Sequence, residues 1–370
     1  MAVMLDTEKR RRKWIWGCTG GCLGFLVASF LLAYIVVRVL MRPVPIVPPE
    51  TFITPDTQAF LIVKVAPSDP LMVSLAVRLA LLRGFLEKVP TKEGAPLQMN
   101  AERARALILQ TAPVQMVRIL QPGHEKAPFE SGVAFSIFKY SRLFGLVVRS
   151  YMESASGKKQ ANFERYHGAQ LAAAKSGGAI GVIENNYMGT DDEATIRDWV
   201  DAIQERRARE AQAPKGQAPA PEFRAGGQLK AAYERLDPRR PGLFASLNSQ
   251  HELAGLLSLM PAGRARDLLV AAGSASDKVL SLSGELKGLN DRDAALTLFF
   301  QCADAAFAAR LQAALAQIAA EFVSTSPLRD IKVERSEGAV VKLEARIENL
   351  PDKVAELATY LAQRQAQPAR

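Results

Sequence analysis

Three kinds of apolar pattern run along this chain. The first is an unbroken stretch: from Trp14 to Val37, 24 residues carry no charge. As a helix it would be about 36 Å long, enough to cross a hydrocarbon core of about 30 Å with some tilt. The second is the short apolar run or alternation of a strand. It occurs at Ala59–Val65, Gln115–Leu120, Gly132–Phe138, Phe163–Ala174 and Ala179–Tyr187, and later at Gly242–Leu247 and Val279–Leu286. Leu296, Leu298, Phe300 and Cys302 alternate along a further strand and share one face. Ile331–Glu334 and Val341–Ile347 predict a hairpin about Ser336-Glu337-Gly338.

The third pattern is helical. Asp69-Pro70 supplies a cap and a first-turn proline before Leu71, Leu75, Leu79, Leu82 and Leu86. A second helix is expected over Ala101–Gln110, and Ser141 opens one with apolar positions Phe144, Val147, Val148 and Tyr151. Thr190 and Glu193 have the spacing of a capping box, in which each satisfies an orphan amide of the helix start. The helix they open carries Ile196, Trp199, Val200 and Ile203. Shorter helices are expected at Leu229–Leu236 and, with Leu253, Leu256, Leu257 and Met260, after Asn248 or Ser249. Asp304 starts a helix whose stripe is Phe307, Leu311, Leu315, Ile318 and Phe322. Pro351-Asp352 opens a last one with Val354, Leu357, Ala358 and Leu361.

Strands in adjacent pairs with helices between them predict an α+β fold: an N-terminal single transmembrane helix, then antiparallel or mixed sheets with helices packed on one face. The expected organisation is a basic tail at 1–13, the membrane span at 14–37 and a Pro-rich, semi-rigid spacer at 38–58. A first α+β portion follows at 59–207, then an Ala/Gln/Pro/Gly-rich linker or long loop at 208–227, a second portion at 228–364 and a tail at 365–370. Ile180–Ile183 leading through Asp191 into a helix resembles Leu296–Phe299 leading through Asp304 into another, a hint of internal repetition.

Charge sets the topology. Lys9, Arg10, Arg11, Arg12 and Lys13 precede the span, whereas only Arg38 and Arg42 follow closely, so the N-terminus is expected in the cytoplasm and the bulk of the chain outside it. Trp14 and Trp16 sit where indoles favour the headgroup layer. Localisation is thus expected at the inner membrane of the cell, single-pass, with the lipid bilayer as first partner. A cleaved, secreted form is the rival, weakened because the apolar run is longer than a signal peptide needs. Residues 1–42 hold seven of the 47 Lys and Arg but two of the 38 Asp and Glu. The net charge of +9 is therefore largely this signal, and nucleic acid is not an expected partner. Gly17, Gly20, Gly21 and Gly24 give the span small residues four apart, a face through which two helices can approach as a weak homodimer.

Some of these segments together resemble a known group. Pro55-Asp56-Thr57 leading into 59–65, Gly189-Thr190-Asp191-Asp192-Glu193 opening a helix, and Leu296–Leu315 as strand then Ala-rich helix look like bacterial membrane-anchored envelope proteins of unknown function. The resemblance covers much of residues 51–350. It implies a signal-anchored, extracytoplasmic α+β protein and transfers no catalytic residue.

Chemistry-bearing motifs are sparse. No phosphate-cradling Gly-x-x-x-x-Gly-Lys-Ser/Thr and no Gly-x-Ser-x-Gly elbow occurs. His251-Glu252 begins like a zinc-protease helix, but Gly255 stands where the second histidine belongs. His124 lies in a Pro-Gly loop, and His167 is the histidine least easily dismissed. Cys302 reads as core packing. Asp191-Asp192-Glu193 invites a cation, but helix capping already explains it. No catalytic residue, cofactor or metal is expected. The reading is a non-enzymatic, tethered binding or scaffolding module of the cell envelope with an envelope protein as partner; the alternative is an envelope-associated hydrolase with an unfamiliar site, signalled if His167 met a carboxylate in a deep pocket.

Overall fold

The run Ala59–Val65 is apolar at nearly every position, which marks a strand covered on both faces. In the computed structural model it is the centre of the molecule. The structure describes residues 43–82, 101–122, 129–139, 141–175, 177–214, 222–247, 267–268, 270, 278–322, 327–336 and 338–356. Within them twelve strands form one sheet: β1 (Ala59–Val65), β2 (Val114–Pro122), β3 (Phe129–Ile137), β4 (Glu164–Tyr166), β5 (Ala169–Ala173), β6 (Ala179–Ile183), β7 (Asn186–Thr190), β8 (Gly242–Leu247), β9 (Val279–Gly288), β10 (Ala294–Cys302), β11 (Leu328–Ser336) and β12 (Val340–Ile347). The helices are α1 (Pro70–Leu82), α2 (Ala101–Thr111), α3 (Ser141–Ser156), α4 (Glu193–Gln212), α5 (Gly227–Glu234), α6 (Ala305–Phe322) and α7 (350–356).

The sheet order is β11-β12-β10-β9-β8-β1-β2-β3-β7-β6-β5-β4, and every neighbouring pair is antiparallel. β1 pairs with β8 from Ala59↔Leu247 to Lys64↔Gly242, so the sheet runs unbroken between the two halves of the chain. About that pair the order β1-β2-β3-β7-β6 is matched by β8-β9-β10-β12-β11. α3 follows β3 as α6 follows β10. The repeat therefore aligns β3–α3 with β10–α6, not the segment from β6 through Asp191 into α4 that the sequence suggested.

One face, here the front, carries Phe60, Ile62, Val117, Ile119 and Phe244. It is covered by Ile196, Trp199, Val200 and Ile203 of α4, by Leu229 and Tyr233 of α5, and by Phe52 and Ile53. The back carries Val65, with Val63, Leu243 and Leu286, under Leu71, Met72 and Leu75 of α1 and Ala104 of α2. Flanking this, Phe144, Val148 and Met152 of α3 pack on Ile137, Val182 and Tyr187. On the other flank Phe307, Leu311 and Leu315 of α6 pack on Phe300, Cys302 and Val341. Each large apolar side chain so buried contributes about 1.5–3 kcal/mol relative to exposure.

The expected fold is corrected on three points. There is one antiparallel sheet, not several antiparallel or mixed ones, because β1 and β8 pair edge to edge. Helices lie on both faces, because β1 is apolar on both and α4 and α5 take the front. The transmembrane helix of that expectation has no counterpart here: residues 14–37 lie outside the described residues, and among those described no helix is long and apolar enough to cross a membrane.

Smaller differences are instructive. The run 163–174 is a hairpin, folded at His167 and Gly168 with φ of 42° and 85°, the left-handed pair of a tight two-residue turn. The run 179–187 is likewise split, with Ile183 pairing to Asn186 across Glu184-Asn185. The capping box does not form. Thr190 ends β7, and Asp192 caps α4 by accepting from the Thr195 amide at 3.2 Å. The helix expected after Asn248 lies outside the described residues.

Candidate binding pocket

The residues singled out for membrane topology and helix pairing, from Lys9 to Gly24, lie outside the described residues, as do His124 and His251. Of the rest, His167 does meet a carboxylate. Its Nδ1 is 2.7 Å from Asp201 Oδ1, while the Tyr166 hydroxyl donates to Asp201 Oδ2 at 2.8 Å. The ring stacks on Tyr166, which lies under the Arg197 guanidinium. Yet this cluster is on the surface, with the His167 side chain 61% exposed. It is not the deep pocket that would have signalled an enzyme.

Asp191, Asp192 and Glu193 are each otherwise engaged. Asp191 accepts from the Ser131 amide and hydroxyl, Asp192 caps α4 and Glu193 pairs with Arg197. Among the described residues no group of three or more His, Cys, Asp or Glu could hold a metal ion. The basic run at the end of α4 is spent on ion pairs, Arg206 with Glu210, Arg207 with Glu184 and Arg209 with Glu222. Cys302 is buried, and desolvation, aided by Asp304, pushes its thiol up to about 11.

A cavity of about 330 Å³ opens instead where the incoming chain crosses the end of the sheet. Its walls are largely apolar and stiff: Ile46, Pro48, Pro49, Val65, Pro113, Pro238 and Pro241 among them. Three charged groups stand in the lining: Glu50 and Lys64 at partly or wholly buried positions, and the exposed Arg239. Glu50, on a 3-10 turn at Pro49–Phe52, is 9% exposed. Its Oε1 accepts from the Tyr233 hydroxyl of α5, and its Oε2 is buried without a hydrogen-bond partner. Lys64 projects from β1 and donates to the Pro238 carbonyl. Burial lowers its pKa, opposed by the nearby charges of Glu50 and Asp237. Burial and the Glu50 charge both push the Tyr233 phenol up, so it stays a donor.

The strap that closes this cavity is held largely by side chains and pairs with no strand. Gln115 donates to the Val47 carbonyl at 3.1 Å. Asn185, 1% exposed, donates to the carbonyls of Val44, Pro45 and Ile137 at 3.1–3.2 Å. Trp199 Nε1 donates to the Phe52 carbonyl at 2.7 Å and its ring meets Phe52 edge-on. Arg224 bridges Asp198 and the Thr51 carbonyl. None of Glu50, Lys64 or Tyr233 was a sequence candidate for a site. Of these three Lys64 left a signal, a single charge inside an apolar strand.

The arrangement suits recognition. A carboxylate oxygen that folding has desolvated without pairing is costly unless something donates to it. No histidine, cysteine or serine is in the lining, so the cavity offers no nucleophile of those kinds. No family model, curated protein or solved structure matches the chain.

Proposed function

We propose that this protein is a binding module held at the inner membrane by its basic and apolar N-terminal segment, with the bulk of the chain outside the cytoplasm. The pocket at 46–50, 64, 113–115 and 238–241 is its ligand site. The observation that carries the binding reading is an apolar-walled pocket with the buried Glu50 in its lining, one carboxylate oxygen of which has no hydrogen-bond partner. Its complement is a hydrogen-bond donor, such as a primary ammonium or a hydroxyl; beside it the Lys64 ammonium donates to the Pro238 carbonyl, and Arg239 completes the charged lining. The His167–Asp201 pair lies outside this pocket and gives the hydrolase alternative no enclosed site.

Binding is tested by thermal unfolding of the full chain with ethanolamine and with its neutral analogue ethylene glycol. A ligand that binds only the folded state raises the midpoint. Ethanolamine is expected to raise it, ethylene glycol to do so less, and Glu50→Gln to abolish the difference. Equal shifts in the wild type and Glu50→Gln refute the assignment. The tether is tested separately by a reporter fused after Arg370, expected to be active only outside the cytoplasm.

A further inference from the structure

The outward side of α3 is unexpectedly apolar. The helical stripe read from sequence placed Val147 and Tyr151 with Phe144 and Val148. In the fold Phe144, Val148 and Met152 make the core contacts, and Val147 and Tyr151 turn outward beside Leu146. These three are 58, 63 and 56% exposed. α2 adds Leu107 and Leu109, 42 and 37% exposed, on the same back side of the sheet. Clustered exposed apolar side chains of this size on a helix mark a surface that something else covers.

Where the chain arrives says what covers it. The Val44 amide donates to the Phe138 carbonyl at 2.9 Å, and α3 begins three residues further on at Ser141. The Phe138 amide in turn donates to Pro113, just past the end of α2. So the incoming chain, the start of α3 and the end of α2 meet at one end of the sheet. Six residues, 38–43, separate the apolar segment from Val44, a reach of at most about 20 Å. Leu146 and Val147 stand about 8–9 Å along α3 from Ser141, and Tyr151 about 15 Å. The charges follow the same direction. The only acid in α3 is Glu153, towards its far end, and the only acid in α2 is Glu102, at its far end. Nearer the arrival point stand Lys139 and Arg105, both exposed, whereas Arg149 turns to Gln170, to which its Nε donates at 2.7 Å.

We infer that the outer face of α3, with the adjoining end of α2, rests in the phospholipid headgroup layer of the membrane that holds the N-terminal segment. This rests on the tethered reading above. Leu146 and Val147 enter the acyl boundary, Tyr151 lies at headgroup depth, where aromatic residues with a polar end are favoured, and the neighbouring cations face anionic lipid.

The test uses the full chain with Cys18→Ser and Cys22→Ser, reconstituted into phosphatidylethanolamine/phosphatidylglycerol vesicles. An environment-sensitive fluorophore is attached to Val147→Cys, Tyr151→Cys or, as a control on the exposed front, Lys332→Cys. All three positions are on the surface, where substitution is mild. The labels at 147 and 151 are expected to shift to the blue and to lose emission to nitroxide-bearing lipids, with the label at 332 unaffected. If the chain floats with the vesicles but all three labels behave alike, the bilayer face is wrong and the tether stands. Blue-shifted labels at 147 and 151 that lipid nitroxides do not quench mean that protein covers the face, which also overturns the inference. A chain that does not float overturns both.

Discussion

Gly132 on β3 lies directly beneath Trp199. A β-carbon placed at Gly132 would stand 2.7 Å from Trp199 Cη2 and 3.0 Å from Cζ2, closer than van der Waals contact allows. The indole cannot swing away cheaply, because it is fully buried and its Nε1 is hydrogen-bonded to the Phe52 carbonyl. Gly132→Ala therefore sets two effects against each other. Replacing a strand glycine stabilises by about 0.5–1 kcal/mol through the unfolded chain. Forcing a methyl into a packed core costs about 1–3 kcal/mol. The clash wins, for a net loss of about 1–2 kcal/mol. Trp199→Phe is destabilising on its own account, since the stranded Phe52 carbonyl costs about 1–3 kcal/mol. It also removes the atoms that the new methyl would strike. In that background Gly132→Ala should be neutral or stabilising. The coupling between the two substitutions is thus favourable and about 1–3 kcal/mol. Urea unfolding of residues 43–370, followed by circular dichroism for the wild type, both single variants and the double variant, measures it. Additive losses would show that Trp199 does not rest on Gly132 as described.

Three other outcomes are expected. Leu311→Asp puts a charge among Phe307, Leu315 and Val341, where an unpaired carboxylate has no partner, and should unfold the α6 layer; a normal melting profile for a well-expressed variant would contradict this. Asp293 is held at about 2 by the Arg346 guanidinium, the Asn349 amide and Asn290. A carboxyl depressed in the fold adds stability above its unfolded value of about 3.9 and loses it as pH falls towards 2. The stability gap between wild type and Asp293→Asn should therefore narrow from about pH 5 down to pH 2, and a constant gap would refute the role. Cys302, with its thiol at about 11, has on the order of one thiolate in a thousand at pH 8, so alkylation of a Cys18→Ser, Cys22→Ser chain should be slow until denaturant is added. Rapid labelling of the folded chain would place that sulfur outside the core.

What the sequence made legible was local periodicity. The alternation Leu296, Leu298, Phe300, Cys302 and the stripe Phe307, Leu311, Leu315 could be read directly, because each strand or helix there has one apolar side. α3 misled because its apolar residues Phe144, Leu146, Val147, Val148, Tyr151 and Met152 are spread round the helix, so periodicity could not tell Met152, which is buried, from Tyr151, which is not. The turns at His167-Gly168 and Glu184-Asn185 were hidden inside apolar runs. Glu184 takes a positive φ with no side-chain signature to announce it, and only the pairing partners reveal the fold-back. The pocket was least legible. Glu50, Lys64 and Tyr233 come from positions up to 183 residues apart, and their meeting depends on α5 crossing the front of the sheet.

The arrival of the chain ties these features together. Residues 44–58 could have formed a free, extended arm, as their prolines suggested. Instead Asn185 and Gln115 bind their carbonyls, and Phe52 and Ile53 are fully buried. Val44 is thereby fixed at the end of the sheet. The asymmetry of the repeat has the same sense. On the front, α4, α5 and the 3-10 turn cover the β1–β7 half, while Lys332 and Glu334 on the β11 side stay exposed. The covered half is the one that receives the chain and encloses Glu50. Weakening the strap should therefore free Val44 and open the pocket together: Asn185→Ala removes three hydrogen bonds to the carbonyls of Val44, Pro45 and Ile137 without touching the lining.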